Sequence, residues 1–325
     1  MTGARKSSPR FRREGEPPRI ELTEDDVAIF QYVYRHRFIR AEDLHRLLNS
    51  RSPDRLSRRL TLLYRAGFLD RPIAQVDRFK QGGSQSFVYG LDTKGARYLK
   101  EAHGAAIGAA DWRSRNRSYT RANLDHTLAV TRFMVDLEIA CRSQPNLSLI
   151  HFEDILAASP ETTRRSRNPM CWPVPVQWHG GRAIVHVAPD AIFGLRVVRE
   201  DGSKARSYFF VEVDRGTMTI VPSERVRESD AFPHRATILR KLLAYADSFR
   251  LKLHEQRFGI KAPRVLFVTK SEGRADAMRL AAAEFVIQPM RIPEHLFEFA
   301  VLDTPNAFPF DALKMLFSGV AGPPD

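Results

Sequence analysis

The sequence predicts a multi-domain α/β protein: a helical N-terminal unit closed by a β-hairpin, then an α/β domain built on a mixed central sheet. Three observations predict it. At roughly 150 residues per domain, 325 residues make two domains, each long enough to bury its own core. Three short amphipathic patterns followed by two strand-like runs occupy the first third of the chain. Beyond residue 119 the order reads αβββαβα, the skeleton of a sheet with helices packed on it. Hydrophobic residues at 43% and aromatics at 10% are globular usage.

Residues 1–19 are Arg-, Pro- and Ser-rich without periodicity, which predicts a flexible basic arm. The first domain, 20–103, opens at Thr23, which with Asp26 forms a capping box, followed by Val27, Phe30, Val33 and Tyr34 at helical spacing. Ala41 to Leu48 is a second short helix. The third is the clearest: Ser52 caps it, Pro53 suits its first position, Gly67 ends it, and Leu56, Leu60 and Leu63 form its buried stripe. Arg55, Arg58 and Arg59 lie off that stripe, with Arg51 just before. Arg71 to Tyr89 reads as two strands around the polar tip Lys80-Gln81-Gly82-Gly83-Ser84, and a helix from Thr93 closes the unit. Three helices and a hairpin are the winged helix-turn-helix pattern, with the third helix as the major-groove reader and Arg78 and Lys80 on the wing.

Charge supports that placement. Lys and Arg total 51 against 38 Asp and Glu, a net +13, and residues 1–118 carry 24 basic against 14 acidic residues. A polyanion, double-stranded DNA, is the partner this asymmetry predicts. Residues 104–118, with Arg113, Arg115 and Arg117, read as a basic linker. Two cysteines without a CxxC pair exclude a disulfide scaffold and a Cys-rich zinc finger. No apolar run approaches the ~20 residues that span a bilayer, and no apolar segment follows the basic start as in a signal peptide. A soluble, cytoplasmic protein without a membrane partner is expected. No P-loop, dinucleotide fingerprint, Gly-X-Ser-X-Gly elbow or HExxH appears.

The second domain, 119–325, begins with a long helix through Leu124, Leu128, Phe133 and Leu137. Strands are expected over Leu147–Phe152, Val174–Trp178, Ala183–Phe193 and Ser207–Asp214, a long helix over Pro233–Gln256, a strand over Arg264–Thr269 and a helix over Gly273–Phe285. Ser159–Pro175 reads as an irregular insertion. In a strand, residues i and i+2 share a face, so Glu212 and Asp214 project together. Two such carboxylates in an apolar strand need a compensating cation, metal or donor. Asp190, after Pro189, closes the preceding strand and converges on the same place. Asp190, Glu212 and Asp214 are therefore the expected ligands of Mg²⁺ or Mn²⁺, hard ions that take oxygen donors and could activate a water. Arg215 either neutralises Asp214 or binds phosphate. His126 is either a structural histidine or a catalytic one.

This order resembles the PD-(D/E)XK nuclease superfamily, with its αβββαβ core, Pro-Asp on one strand and Glu-X-Lys on the next. Here the match is Pro189-Asp190, then Glu212-Val213, with Asp214 where the lysine should stand. The resemblance implies a lysine that orients the attacking water. Some relatives take it from the following helix, where Lys241 lies in Arg240-Lys241-Leu242-Leu243-Ala244-Tyr245. Asp190, Glu212, Lys241 and His126 are accordingly the candidate catalytic residues.

The whole chain resembles the replication-relaxation family of plasmids and other mobile elements. The resemblance is carried by Tyr89-Gly90-Leu91-Asp92-Thr93-Lys94-Gly95, Leu124-Asp125-His126-Thr127-Leu128, Pro189-Asp190-Ala191, Glu212-Val213-Asp214-Arg215-Gly216-Thr217, and Lys241 with Tyr245. Met218 stands where the family often has an acidic residue. The resemblance implies a DNA-binding role in replication, relaxation or transfer (conjugation) of a plasmid or integrative element, with a relaxase, replication proteins or a second copy as further partners. Two readings of the second domain follow. It is either a magnesium-dependent endonuclease or nickase, or the docking domain of a non-catalytic accessory factor or transcriptional regulator.

Overall fold

The computed structural model describes residues 10–13, 15–76, 86–104, 111–178, 181–229 and 232–302. It divides into two compact units, Met1–Val135 and Asp136–Asp325. Among the described residues no helix is long and apolar enough to cross a membrane.

In the first unit, α1 (Glu24–His36) opens with the expected capping box between Thr23 and Asp26. It is followed by β1 (Phe38–Arg40), α2 (Ala41–Leu47) and α3 (Pro53–Arg65), where Ser52 accepts from the Arg55 amide at 3.3 Å. β2 (Leu69–Asp70) and β3 (Val88–Leu91) complete a three-stranded antiparallel sheet in the order β1-β3-β2. The first arm of the expected hairpin is shorter than the sequence suggested. Pro72 has no N–H to donate to a ladder, and a 3-10 turn over Ile73–Gln75 replaces the strand. The Gln75 side chain then bonds both Val88 N and Val88 O at 2.9 Å, serving the groups a neighbouring strand would have served. Arg78 and Lys80 lie outside the described residues.

α4 (Thr93–His103) and α5 (Trp112–Arg117) follow. Residues 111–118, read as linker, are thus largely helical, because Trp112 has an apolar face to bury and Asn116 donates to Asp70 Oδ2 at 3.1 Å and Leu91 O at 2.9 Å. Part of the basic arm is likewise tied down. Arg13 donates to Tyr64 O, Leu69 O and Asp92 Oδ2, each at 2.6 Å. The unit boundary falls within α6 (Arg121–Arg142), later than residue 119.

The Tyr89–Gly95 motif is explained by this packing. Tyr89 hydroxyl receives Arg71 at 2.8 Å, Asp92 caps α4, and Lys94 Nζ donates to Ala66 O at 3.1 Å, past the end of α3. A Cβ on Gly95 would stand 2.3 Å from Phe68 O, a backbone atom that cannot swing aside. We expect Gly95→Ala to destabilise the first unit by about 2 kcal/mol or more, read from urea unfolding, since overpacking against fixed backbone forces the helix to shift.

The second unit is built on a five-stranded mixed sheet in the order β10-β9-β8-β7-β4. Its strands are β4 (Leu147–Ile150), β7 (Ala191–Val198), β8 (Lys204–Val213), β9 (Pro263–Thr269) and β10 (Phe297–Val301). β8, β9 and β10 run parallel, and β7 is antiparallel to both β8 and β4. The run read as one strand over Ala183–Phe193 divides at Ala188-Pro189-Asp190. Its first part, β6 (Gly181–Val187), pairs with β5 (Trp172–Trp178) in a separate ribbon. Pro173 and Pro175 are tolerated in β5 because a two-stranded ribbon leaves each strand one edge without ladder bonds. The helix expected over Pro233–Gln256 becomes α7 (Ile238–Arg250) and α8 (Leu253–Phe258), separated at Lys252, whose φ of 54° is left-handed. α9 (Glu272–Ala282) follows β9. Phe210, Leu242, Tyr245, Phe258 and Phe267 lie in one core cluster between sheet, ribbon and helices.

Candidate functional site

On α3 the leucine stripe is buried, while Arg55 and Arg58 are exposed, as is Arg51 before the helix. Arg59 is spent differently. Its guanidinium forks onto the fully buried Asp26, with Nε to Oδ1 at 2.8 Å, and also donates to Glu21 O at 2.7 Å. Burial opposes its charge, but the Arg59 fork together with the Thr23 hydrogen bonds outweighs it and holds the Asp26 carboxyl below the usual carboxylate range. Arg59 therefore joins the start of α1 to α3, and the outward basic face comprises Arg51, Arg55 and Arg58. Arg65 is exposed and extends this face by two turns, at a spacing the sequence already displayed.

The acidic constellation assembles in the second unit. Asp190 sits one step beyond the Ala191–Val211 pair, which places it beside Glu212 on the neighbouring strand. Its backbone N–H donates to Val211 O and its Oδ2 accepts from Val213 N, both at 2.8 Å. Glu212 is 3% exposed. Two donors from α7 reach it: Lys241 Nζ to Oε2 at 2.5 Å and Tyr245 hydroxyl to Oε1 at 2.6 Å. Their four-residue spacing stacks both on one helix face. Burial pushes the Glu212 carboxyl up, with Lys241 opposing and Asp190 adding to the rise. Burial disfavours the Lys241 ammonium, but the charges of Glu212 and Asp190 outweigh it and hold the amine above its ordinary value. The Tyr245 phenol is raised well above its ordinary value by burial and by Glu212, so it is a hydrogen-bond donor rather than a phenolate. Cys141 is no alternative nucleophile: it is buried and its thiol is pushed up to about 12.

Asp214 is committed elsewhere. Arg274 of α9 forks onto it, with Nη2 to Oδ1 at 3.0 Å, while Thr269 Oγ1 and Gly216 N donate to its Oδ2 at 2.9 and 3.0 Å. Arg274, not singled out in the sequence, could not have been found from it, since it lies 60 residues from Asp214. Burial opposes the Asp214 charge, yet the Arg274 fork with the Thr269 and Gly216 donors outweighs it and holds the carboxyl below its usual value of 3.8. A carboxylate with a depressed folded value stabilises the protein above the unfolded carboxylate range, and that stability is lost as pH falls through the depressed value. We expect Arg274→Ala to cost about 3 kcal/mol at neutral pH, because it strands a buried charge. Urea unfolding at neutral and acidic pH checks this, and the deficit should shrink on acidification.

Asp190, Glu212 and Lys241 thus come together in the second unit, joined by Tyr245. His126 is half-buried on α6 in the first unit. Its neighbours Leu124 and Leu128 pack with Phe38 and Val88, which accounts for the spacing of that motif. The donor set can be tested against a hard cation. Asp190 and Glu212 supply oxygen donors of the type Mg²⁺ and Mn²⁺ take, and Asp214 accepts from Arg274, Thr269 and Gly216. Among the described residues no three Asp, Glu, His or Cys side chains gather as a metal-binding group. What the structure brings together is two carboxylates and one lysine, Asp190, Glu212 and Lys241.

A replication-relaxation family model matches residues 30–262, which spans the end of α1 through α8 and includes Asp190, Glu212, Lys241 and Tyr245. The chain belongs to the replication-relaxation family. No curated protein and no solved structure matches it. Most of the sheet and the whole Glu212 cluster lie within the family match, while β9, α9 with Arg274, and β10 lie beyond it.

Proposed function

We propose that this replication-relaxation protein binds double-stranded DNA through a winged helix and acts in replication, relaxation or transfer of a plasmid or integrative element. The observation that carries this reading is the exposed face of α3, where Arg55 and Arg58 stand outward on a capped helix, with exposed Arg51 just before its cap. A helix so placed would enter the major groove, with its arginines on base edges and phosphates. Binding tested by gel shift should weaken steeply with salt, log affinity falling by roughly 0.9 per phosphate neutralised for each tenfold rise in salt. Equal affinity at low and high salt would overturn the electrostatic account.

The second unit is proposed as a PD-(D/E)XK-like, metal-dependent nuclease site. What favours this is the return of Lys241 from α7 to Glu212, the place a lysine of Glu-X-Lys would fill. Asp190 and Glu212 would hold Mg²⁺ or Mn²⁺, which when bound polarises a phosphodiester and acidifies water. Lys241 would orient the attacking water by hydrogen bonding, and Tyr245 fixes the Glu212 carboxylate. Nicking of supercoiled plasmid with either metal is the test. The wild type is expected to relax it and Glu212→Ala to lose at least a thousandfold in rate, on the order of 4 kcal/mol. Intact supercoils with both proteins, beside a clear gel shift, would instead leave a non-catalytic accessory factor or regulator.

A further inference from the structure

Residues 10–13 read Arg-Phe-Arg-Arg, and three side chains hold them against the first unit. Arg71 is the main one. It is 5% exposed, stacks 4.0 Å from the Phe87 ring centre and 4.6 Å from that of Tyr64, and donates through Nη1 to Arg10 O at 2.8 Å. Phe11 meets Phe87 edge-on, with ring centres 5.9 Å apart. Arg13 lies over the Tyr64 ring while its guanidinium serves Tyr64 O, Leu69 O and Asp92 Oδ2. Exposure alternates as a result: Phe11 and Arg13 are half-buried, and Arg10 and Arg12 are exposed. A segment this charged ordinarily stays disordered, because it buries too little apolar surface to offset its ordering entropy. Here backbone carbonyls and aromatic rings supply the offset.

The same guanidinium sets the segment against α3. Arg71 Nη2 donates to Thr61 Oγ1 at 2.8 Å, so one side chain joins Arg10 O to that helix. Thr61 shares a helix face with Arg58 and Arg65, at three- and four-residue spacing. Ser57, Arg58, Thr61, Leu62 and Arg65 line one shallow groove of about 370 Å³ on that face. The segment is therefore fixed beside the C-terminal half of the helix whose first turns carry Arg55 and Arg58. Like charges gathered on one surface repel one another unless a polyanion meets them. A DNA duplex does so, since its phosphates run along both edges of the groove a helix enters.

We propose that Arg10 and Arg12 form a second, pre-ordered contact to duplex DNA, gripping the sugar-phosphate backbone that flanks the groove α3 enters. This rests on the reading of α3 as the DNA-facing helix and adds a contact from outside the winged helix. Because Arg71, Phe11 and Arg13 already hold the segment, little further ordering is needed on binding. Phosphate contacts carry no base information, so the segment adds affinity without sequence preference. Fluorescence anisotropy of the full chain with a mixed-sequence duplex, over a salt series, is the test. Arg10→Gln with Arg12→Gln should weaken binding about tenfold or more at low salt and lower the salt slope by roughly 2. Arg10→Lys with Arg12→Lys should stay within about threefold of the wild type, since phosphate also takes an ammonium. Arg97→Gln with Lys100→Gln removes equal charge from exposed positions on α4 and should leave the slope unchanged. A glutamine pair that binds like the wild type would overturn the proposal and leave α3 standing. So would a lysine pair or an α4 pair that loses as much as the glutamine pair. A wild type that does not bind duplex DNA would overturn the α3 reading, and this contact with it.

Discussion

Reversing Arg55 and Arg58 together to Glu should lower the affinity for duplex DNA at low salt by roughly a hundredfold, about tenfold for each lost contact. The salt slope should fall by roughly 2, because two fewer counterions are released per complex. Both side chains are exposed on α3 and Ser52 caps the helix through the Arg55 backbone rather than its side chain, so folding should be preserved. The contrast with Arg59 sharpens the test. Arg59→Ala removes the fork from the buried Asp26 and should lower the thermal midpoint of the first unit. Gel shifts over a salt series, with thermal melts of the same variants, separate the two roles. An Arg55/Arg58 double variant that binds like the wild type would remove α3 as the DNA-facing element and leave a protein-interaction module.

Replacing Lys241 by Met should cost the second unit about 3 kcal/mol near neutral pH, because it leaves Glu212 buried without its cation. The pH dependence identifies the cause. Burial already raises the Glu212 carboxyl above its ordinary value of 4.5. A carboxyl raised on folding binds more protons in the folded state, so its penalty is absent below the unfolded value and grows as pH rises through the folded one. Without Lys241 the folded value climbs further and the penalty widens towards alkaline pH. Urea unfolding should therefore show a large deficit at about pH 8 and a much smaller one at about pH 5. Glu212→Gln added to Lys241→Met should recover most of the loss. Equal deficits at both pH values would mean that Lys241 acts through packing of its stem. On the nuclease reading the same substitution also abolishes metal-dependent nicking, since the water-orienting cation is gone.

Much of this arrangement was legible in the chain itself. Thr23 with Asp26 and Ser52 with Pro53 marked helix starts because capping is local chemistry, satisfied within three residues. The leucine spacing on α3 separated a buried stripe from an arginine face for the same reason. Glu212 was legible as a strand residue, and the helix that follows carries Lys241 and Tyr245, which reach it, at four-residue spacing. Boundaries that depend on non-local partners were not legible. Gln75 substitutes for a strand at Val88, Asn116 turns supposed linker into packed helix, and β10 exists because β9 offers it a parallel edge.

The sequence by itself determined the local elements and the family motifs, set by periodicity and capping. Only the tertiary structure decided how each charge is used. Arg59 is given to Asp26 and Arg274 to Asp214, while Glu212 receives Lys241 and Tyr245. The physical reason is that a buried charge is stable only with a partner, and those partners arrive from elements 29 to 60 residues away in sequence.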